Sequence, residues 1–175
     1  SLLRDGLCLV QLSAGDGDAH IVQPDRSSDD CPNLKALLAD TSVEKLLHFA
    51  RFDLAIIERD LGVTMTPVFC TKIASKLVRT YTDRHGLKDV CREIAGVELS
   101  KQQQSSDWAS SDLSEAQLNY AASDVLYLHA IADGLTAMLE REGRMDIARA
   151  CFDFLPQRAR LDLMGWDETD IFAHS

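Results

Sequence analysis

Apolar and polar positions switch period several times along this chain, and the switches mark its elements. Leu7-Cys8-Leu9-Val10-Gln11-Leu12 is a short apolar run. The turn cluster Gly15-Asp16-Gly17-Asp18 separates it from Ala19-His20-Ile21-Val22-Gln23, so the two runs predict a β-hairpin. Pro32 and Asn33 open a segment with Leu34, Leu37 and Leu38 at helical spacing, which predicts a helix ending near Asp40. Lys45-Leu46-Leu47-His48 predicts a short strand. From Phe52 onward Leu54, Ile57 and Leu61 repeat at helical spacing and stop at Gly62, where a helix end favours glycine. Val68-Phe69-Cys70 predicts another strand, and helical patterns follow over 71–78 and 86–94. After a polar stretch from 100 to 111, Ser114-Glu115-Ala116-Gln117 fits a capping box. It predicts a long helix from Ser114 to about Glu142, kinked near Gly134. Early strands with helices interleaved later predict an α/β or α+β domain with a mixed sheet. Residues 144–175 alternate apolar and charged positions without a clear period, and the pattern assigns them no role.

Composition narrows the class. At 175 residues, with 46% hydrophobic and 26% charged residues, the chain has the make-up of one globular domain. A chain of this length buries roughly 70% of the surface that its unfolded form exposes, so it needs no disulfide or metal to fold. The five cysteines (Cys8, Cys31, Cys70, Cys91, Cys151) are odd in number and include no CxxC pair, so reduced, mostly buried thiols are expected. No apolar run approaches the roughly 20 residues of a membrane span, and Ser1-Leu2-Leu3-Arg4-Asp5 does not start a signal peptide. A cytoplasmic protein that does not touch membranes is the expectation. The formal net charge of −10 speaks against coating nucleic acid by bulk charge. Between Lys72 and Lys101, however, seven basic residues stand against four acidic ones, so this stretch carries +3 and the remainder −13. It is either a local basic surface or a solvated helix face.

Two aspartates stand out by their settings. Asp53 falls at the start of a predicted helix, where a carboxylate serves as an N-terminal cap or as a ligand. Asp124 lies within a predicted helix among Ala121, Ala122, Val125, Leu126 and Leu128, where an unpaired carboxylate is expensive without a cation. Tyr120 precedes it by four residues and shares its helix face; its hydroxyl either satisfies the core or orients a water beside a carboxylate-held metal. The histidines (His20, His48, His85, His129, His174) show no HExxH-like spacing. The phosphate-loop, dinucleotide and nucleophile-elbow signatures are absent as well.

Three blocks then carry a resemblance: His48-Phe49-Ala50-Arg51-Phe52-Asp53-Leu54; Leu99-Ser100-Lys101 with Ser106-Asp107-Trp108; and Leu113-Ser114-Glu115-Ala116-Gln117 leading to Tyr120-Ala121-Ala122-Ser123-Asp124-Val125. In order and separation they resemble the ribonuclease D group of DEDDy 3′–5′ exonucleases, and the similarity runs from about Leu7 to about Leu139. The resemblance implies a ribonuclease H-like fold, a mixed β-sheet flanked by α-helices. It implies that Asp53 is the second-motif aspartate and that Tyr120 and Asp124 form the third motif, Y-x-x-x-D. In such a site two divalent cations, Mg²⁺ or Mn²⁺, lie about 3.5–4 Å apart. Asp53 and Asp124 would hold them while Tyr120 orients the attacking water. The substrate implied is the 3′ end of single-stranded RNA, shortened by one nucleoside 5′-monophosphate at a time. His48, Phe49, Phe52 and Lys101 would contact the nucleic acid, and Trp108 would pack. The first motif of the group, D-x-E, is absent, since Asp5 has no glutamate two residues on. Its strand is expected upstream of Ser1. The chain is accordingly expected to be a single exonuclease domain over 1–175, without the HRDC domain of longer members. Two alternatives stand beside this reading: a catalytically inactive nucleic-acid-binding domain of the same fold, and an exonuclease acting on single-stranded DNA.

Overall fold

The computed structural model describes residues 10–12, 14, 20–22, 32–99 and 113–175. The expected hairpin is present as β1 (Val10–Leu12) and β2 (His20–Val22), paired antiparallel with Val10 opposite Val22. Helix α1 (Pro32–Ala39) sends Leu34 and Leu38 into the core. A βαβ unit follows: β3 (Lys45–Leu47), α2 (Ala50–Leu61) and β4 (Val68–Cys70), with β3 and β4 parallel and Leu47 opposite Cys70. Gly62 closes α2 at φ 67°, a left-handed conformation that lets its N–H reach the Glu58 carbonyl. Helix α3 (Thr71–Val78) follows β4 directly, and α4 (Leu87–Val90) runs on into a π-helical turn over Cys91–Ala95.

The long helix expected from Ser114 is instead two. α5 (Glu115–Leu126) and α6 (Leu128–Arg141) meet at Tyr127, whose φ −101° and ψ −2° depart from ideal helical values of about −63° and −42°. The break separates two tasks. α5 packs on β1 and β2, whereas α6 turns Leu128, Ile131, Ala132, Leu135 and Leu139 into the core. Gly134, the expected kink, is helical; a Cβ there would come within 2.5 Å of Ile94 Cγ2, so glycine lets α6 approach the π-helical turn.

The segment that the sequence pattern left without a role is also structured. α7 (Met145–Leu161) buries Ala148, Phe152, Leu155, Pro156 and Ala159 along α2 and β4. Phe152 meets Phe69 of β4 with ring centroids 4.7 Å apart. Charged residues fill the other face of α7, which obscured its helical period in the sequence. Cys70, Cys91 and Cys151 are free thiols, as expected, and Cys8 and Cys31 lie outside the described residues. Among the described residues, no helix is long and apolar enough to cross a membrane.

Candidate active site

The end of β3 and the start of α2 bring four of the expected site residues together: His48, Phe49, Phe52 and Asp53. Phe49 takes φ 65° and ψ 52°, a left-handed conformation that a non-glycine residue adopts at a cost of order 1–2 kcal/mol. Its ring stays 45% exposed, stacks on Phe52 at 5.9 Å between centroids, and lies 4.6 Å from the Lys72 ammonium. An exposed aromatic ring beside a cation is suited to a base and its phosphate.

His48 is bound to the start of α3. Its Nδ1 lies 2.9 Å from Thr71 Oγ1, and the Thr71 hydroxyl donates to the Leu47 carbonyl. That network assigns the ring proton to Nδ1, leaving Nε2 buried with no hydrogen-bond partner. Burial pushes the His48 pKa down to about 4, helped by the charge of Lys72, so the ring is neutral near pH 7.

Asp53 sits in the first turn of α2. Phe49 supplies no side-chain cap to this helix, and no hydrogen bond or ion pair to Asp53 is found among the described residues. Burial alone pushes its carboxyl up to about 7. Two residues earlier, Arg51 turns away and grips Asp162 beyond the end of α7 with two bonds of 2.7 Å. Those bonds hold the Arg51 guanidinium above its ordinary pKa. A desolvated carboxyl without a counter-charge fits a hard divalent cation, which takes oxygen ligands and removes the energetic penalty of ionising it.

Tyr120 and Asp124 lie one turn apart on α5, and Tyr120 is half-buried. The capping box holds at the helix start: Ser114 Oγ accepts from the Gln117 N–H at 3.1 Å, and Gln117 Oε1 accepts from the Ser114 N–H at 2.9 Å. The Asp124 side chain and the whole of Lys101 and Trp108 lie outside the described residues. Among the described residues, no three His, Cys, Asp or Glu side chains gather as a metal site.

The basic stretch divides. Arg79 is buried and bound by Glu93 at 2.6 Å, and Arg92 pairs with Asp89 and Glu98. These arginines serve the fold, whereas Lys72 faces Phe49. Sequence reasoning passed over Lys72 as a site residue, and it also missed Asp162. Asp162 is 111 residues from Arg51, a separation at which local pattern carries no signal.

Comparison with known proteins identifies the family. A family model described as 3′–5′ exonuclease matches residues 2–140. Ribonuclease D of Acidiphilium cryptum (strain JF-5) is 36% identical over 140 residues, covering 80% of this chain and 35% of the relative. The chain thus spans about a third of the length of the curated relatives that it matches. Among solved structures, Brucella melitensis NrnC is 59% identical with a TM-score of 0.96, covering all of this chain and 85% of that one. NrnC has also been solved with bound Mg²⁺ and bound to pGG. Escherichia coli RNase D, an exoribonuclease involved in structured RNA processing, is 29% identical with a TM-score of 0.75, covering 87% of this chain and 40% of that one. The ribonuclease H-like α/β fold expected from the motifs is therefore the fold found, and the chain belongs to the 3′–5′ exonuclease family as a ribonuclease D-like member.

Proposed function

We propose that this chain is the catalytic domain of a metal-dependent 3′–5′ exoribonuclease, which shortens single-stranded RNA from its 3′ end and releases nucleoside 5′-monophosphates. The observation that carries the reading is Asp53, a carboxyl that burial pushes up to about 7 and that has no counter-charge among the described residues, at the position that the resemblance makes a metal ligand. NrnC with bound Mg²⁺ and NrnC bound to pGG support the cation class and the substrate class.

In this reading Asp53 and Asp124 would be among the ligands of two Mg²⁺ or Mn²⁺ ions. Bound there, the ions would supply a nucleophilic water and neutralise the departing 3′ oxygen. The chain's own residues do the rest. The Tyr120 hydroxyl orients the attacking water. Phe49 and Phe52 stack the terminal base, and Lys72 and Lys101 meet phosphate oxygens. His48 is neutral and bound to Thr71, so we assign it to holding the β3–α2 junction from behind.

The test is digestion of 5′-labelled single-stranded RNA by the full-length protein with Mg²⁺ or Mn²⁺, beside an EDTA control and a DNA of the same sequence. A metal-dependent ladder descending from the 3′ end of the RNA supports the proposal. No product with either metal replaces it with the non-catalytic binding domain, and preferential digestion of the DNA reassigns the substrate.

A further inference from the structure

The first turn of α2 has no side-chain cap among the described residues, yet it carries the candidate ligand Asp53. Phe49 gives the helix no side-chain cap; the Ala50 N–H reaches the Cys70 sulfur, 3.4 Å away, and the Phe52 N–H donates to the Phe49 carbonyl at 3.2 Å. A further anchor comes from the far end of the chain. Arg51 holds both carboxylate oxygens of Asp162 and also donates to the Asp167 carbonyl at 2.8 Å. Arg158, one turn before Asp162, donates to the same carboxylate at 3.2 Å and to the carbonyls of Trp166 and Thr169. Gly165, at φ 94°, takes the left-handed turn that folds these carbonyls back toward the two guanidinium groups. The Asp162 side chain is 1% exposed, Arg158 14% and Arg51 37%, so the carboxylate is enclosed between two cations. All of this but Arg51 lies beyond residue 140, where the family match ends.

We infer that the Arg51–Asp162–Arg158 cluster is a positioning device for the site: the segment following α7 locks the first turn of α2 and so fixes where Asp53 stands. The inference rests on the reading of Asp53 as a metal ligand. A bidentate Arg–carboxylate pair fixes direction as well as distance, which a single ammonium does not. Asp162 and Arg158 are therefore positioning residues that act on the site through Arg51.

The test uses the full-length protein with Arg51→Gln, Arg51→Lys and Asp162→Asn. Leu155→Ala, which weakens the core face of α7 without touching the cluster, is the stability reference. Amide hydrogen exchange reads the helix directly. Arg51→Gln and Asp162→Asn are expected to speed exchange of the Ala50, Phe52 and Leu54 amides about tenfold or more relative to Gly62 at the other end of α2. Affinity for Mn²⁺ alone should fall about tenfold, and kcat should fall more than KM rises. Arg51→Lys keeps the charge and loses the fork, so it should lie between Arg51→Gln and wild type. If the Arg51 and Asp162 variants instead change exchange and Mn²⁺ affinity no more than Leu155→Ala does, the cluster is only structural and the inference fails. Because exchange needs no turnover, a wild type that leaves RNA intact would sink the exonuclease reading while the exchange data still decide this one.

Discussion

Helices α2 and α5 carry Asp53 and the Tyr120–Asp124 pair, and the two helices begin in opposite ways. α5 is closed by its own sequence, since Ser114 and Gln117 exchange bonds across the first turn. The start of α2 has a left-handed phenylalanine where a cap would stand, and it is held by the Cys70 sulfur and by Asp162 from the end of the chain. The contrast teaches that the cap and the proposed site compete for the same position in a helix's first turn. A carboxylate in a first turn ordinarily satisfies backbone N–H groups, whereas Asp53 is desolvated with no partner among the described residues, which suits a cation. Stability that α2 lacks locally is supplied by α7 and the segment beyond it.

Asp53→Asn should separate the two helices most sharply. We expect RNA hydrolysis to fall by about a thousandfold or more, equivalent to about 4 kcal/mol of transition-state stabilisation, with the fold retained. Stability should move the other way. Burial raises the Asp53 pKa, so the metal-free folded chain keeps a proton that the unfolded chain releases between about pH 4 and 7, and stability falls as pH rises through that window. Asparagine removes this loss, so the melting temperature of the metal-free variant should exceed wild type at pH 8 and match it at pH 4. Unchanged hydrolysis would remove Asp53 from the site.

The tertiary support of α2 is next. Phe152→Ala empties the contact between α7 and β4 and should lower unfolding free energy by about 3–5 kcal/mol in a urea titration. A loss below 1 kcal/mol would show that α7 does not hold this region.

His48 gives a smaller effect that depends on pH. Its folded pKa of about 4 lies below the unfolded value of about 6.5, so the unfolded chain alone gains a proton between them, and stability falls as pH drops through that window. The loss should be on the order of 2–3 kcal/mol by pH 4, and His48→Gln should flatten it in denaturation curves recorded from pH 7 to 4.

Smallest is the local cap. Ser114→Ala should cost about 1 kcal/mol and fray α5 alone, seen as faster amide exchange at Gln117 and Leu118 with α2 unaffected. Equal fraying of α2 would erase the contrast.

Local chemistry determined a large part of this protein. Leu54, Ile57 and Leu61 ending at Gly62 marked α2; Ser114 with Gln117 marked the start of α5; and the turn cluster after Leu12 marked the hairpin. Each signal lies within a few residues of what it specifies, because helix periods, caps and turns are short-range physics. The motif spacing likewise pointed to the family whose model matches residues 2–140. Only the tertiary structure decided the rest. The break at Tyr127 arises because α5 must lie on the hairpin while α6 enters the core, and Gly134 answers to Ile94 across a helix contact. α7 escaped notice because its charged face masks its apolar one until α2 and β4 are there to cover it. The Arg51–Asp162 pair joins residues 111 apart, and no local pattern reports which buried carboxylate a distant arginine will reach once the chain has closed.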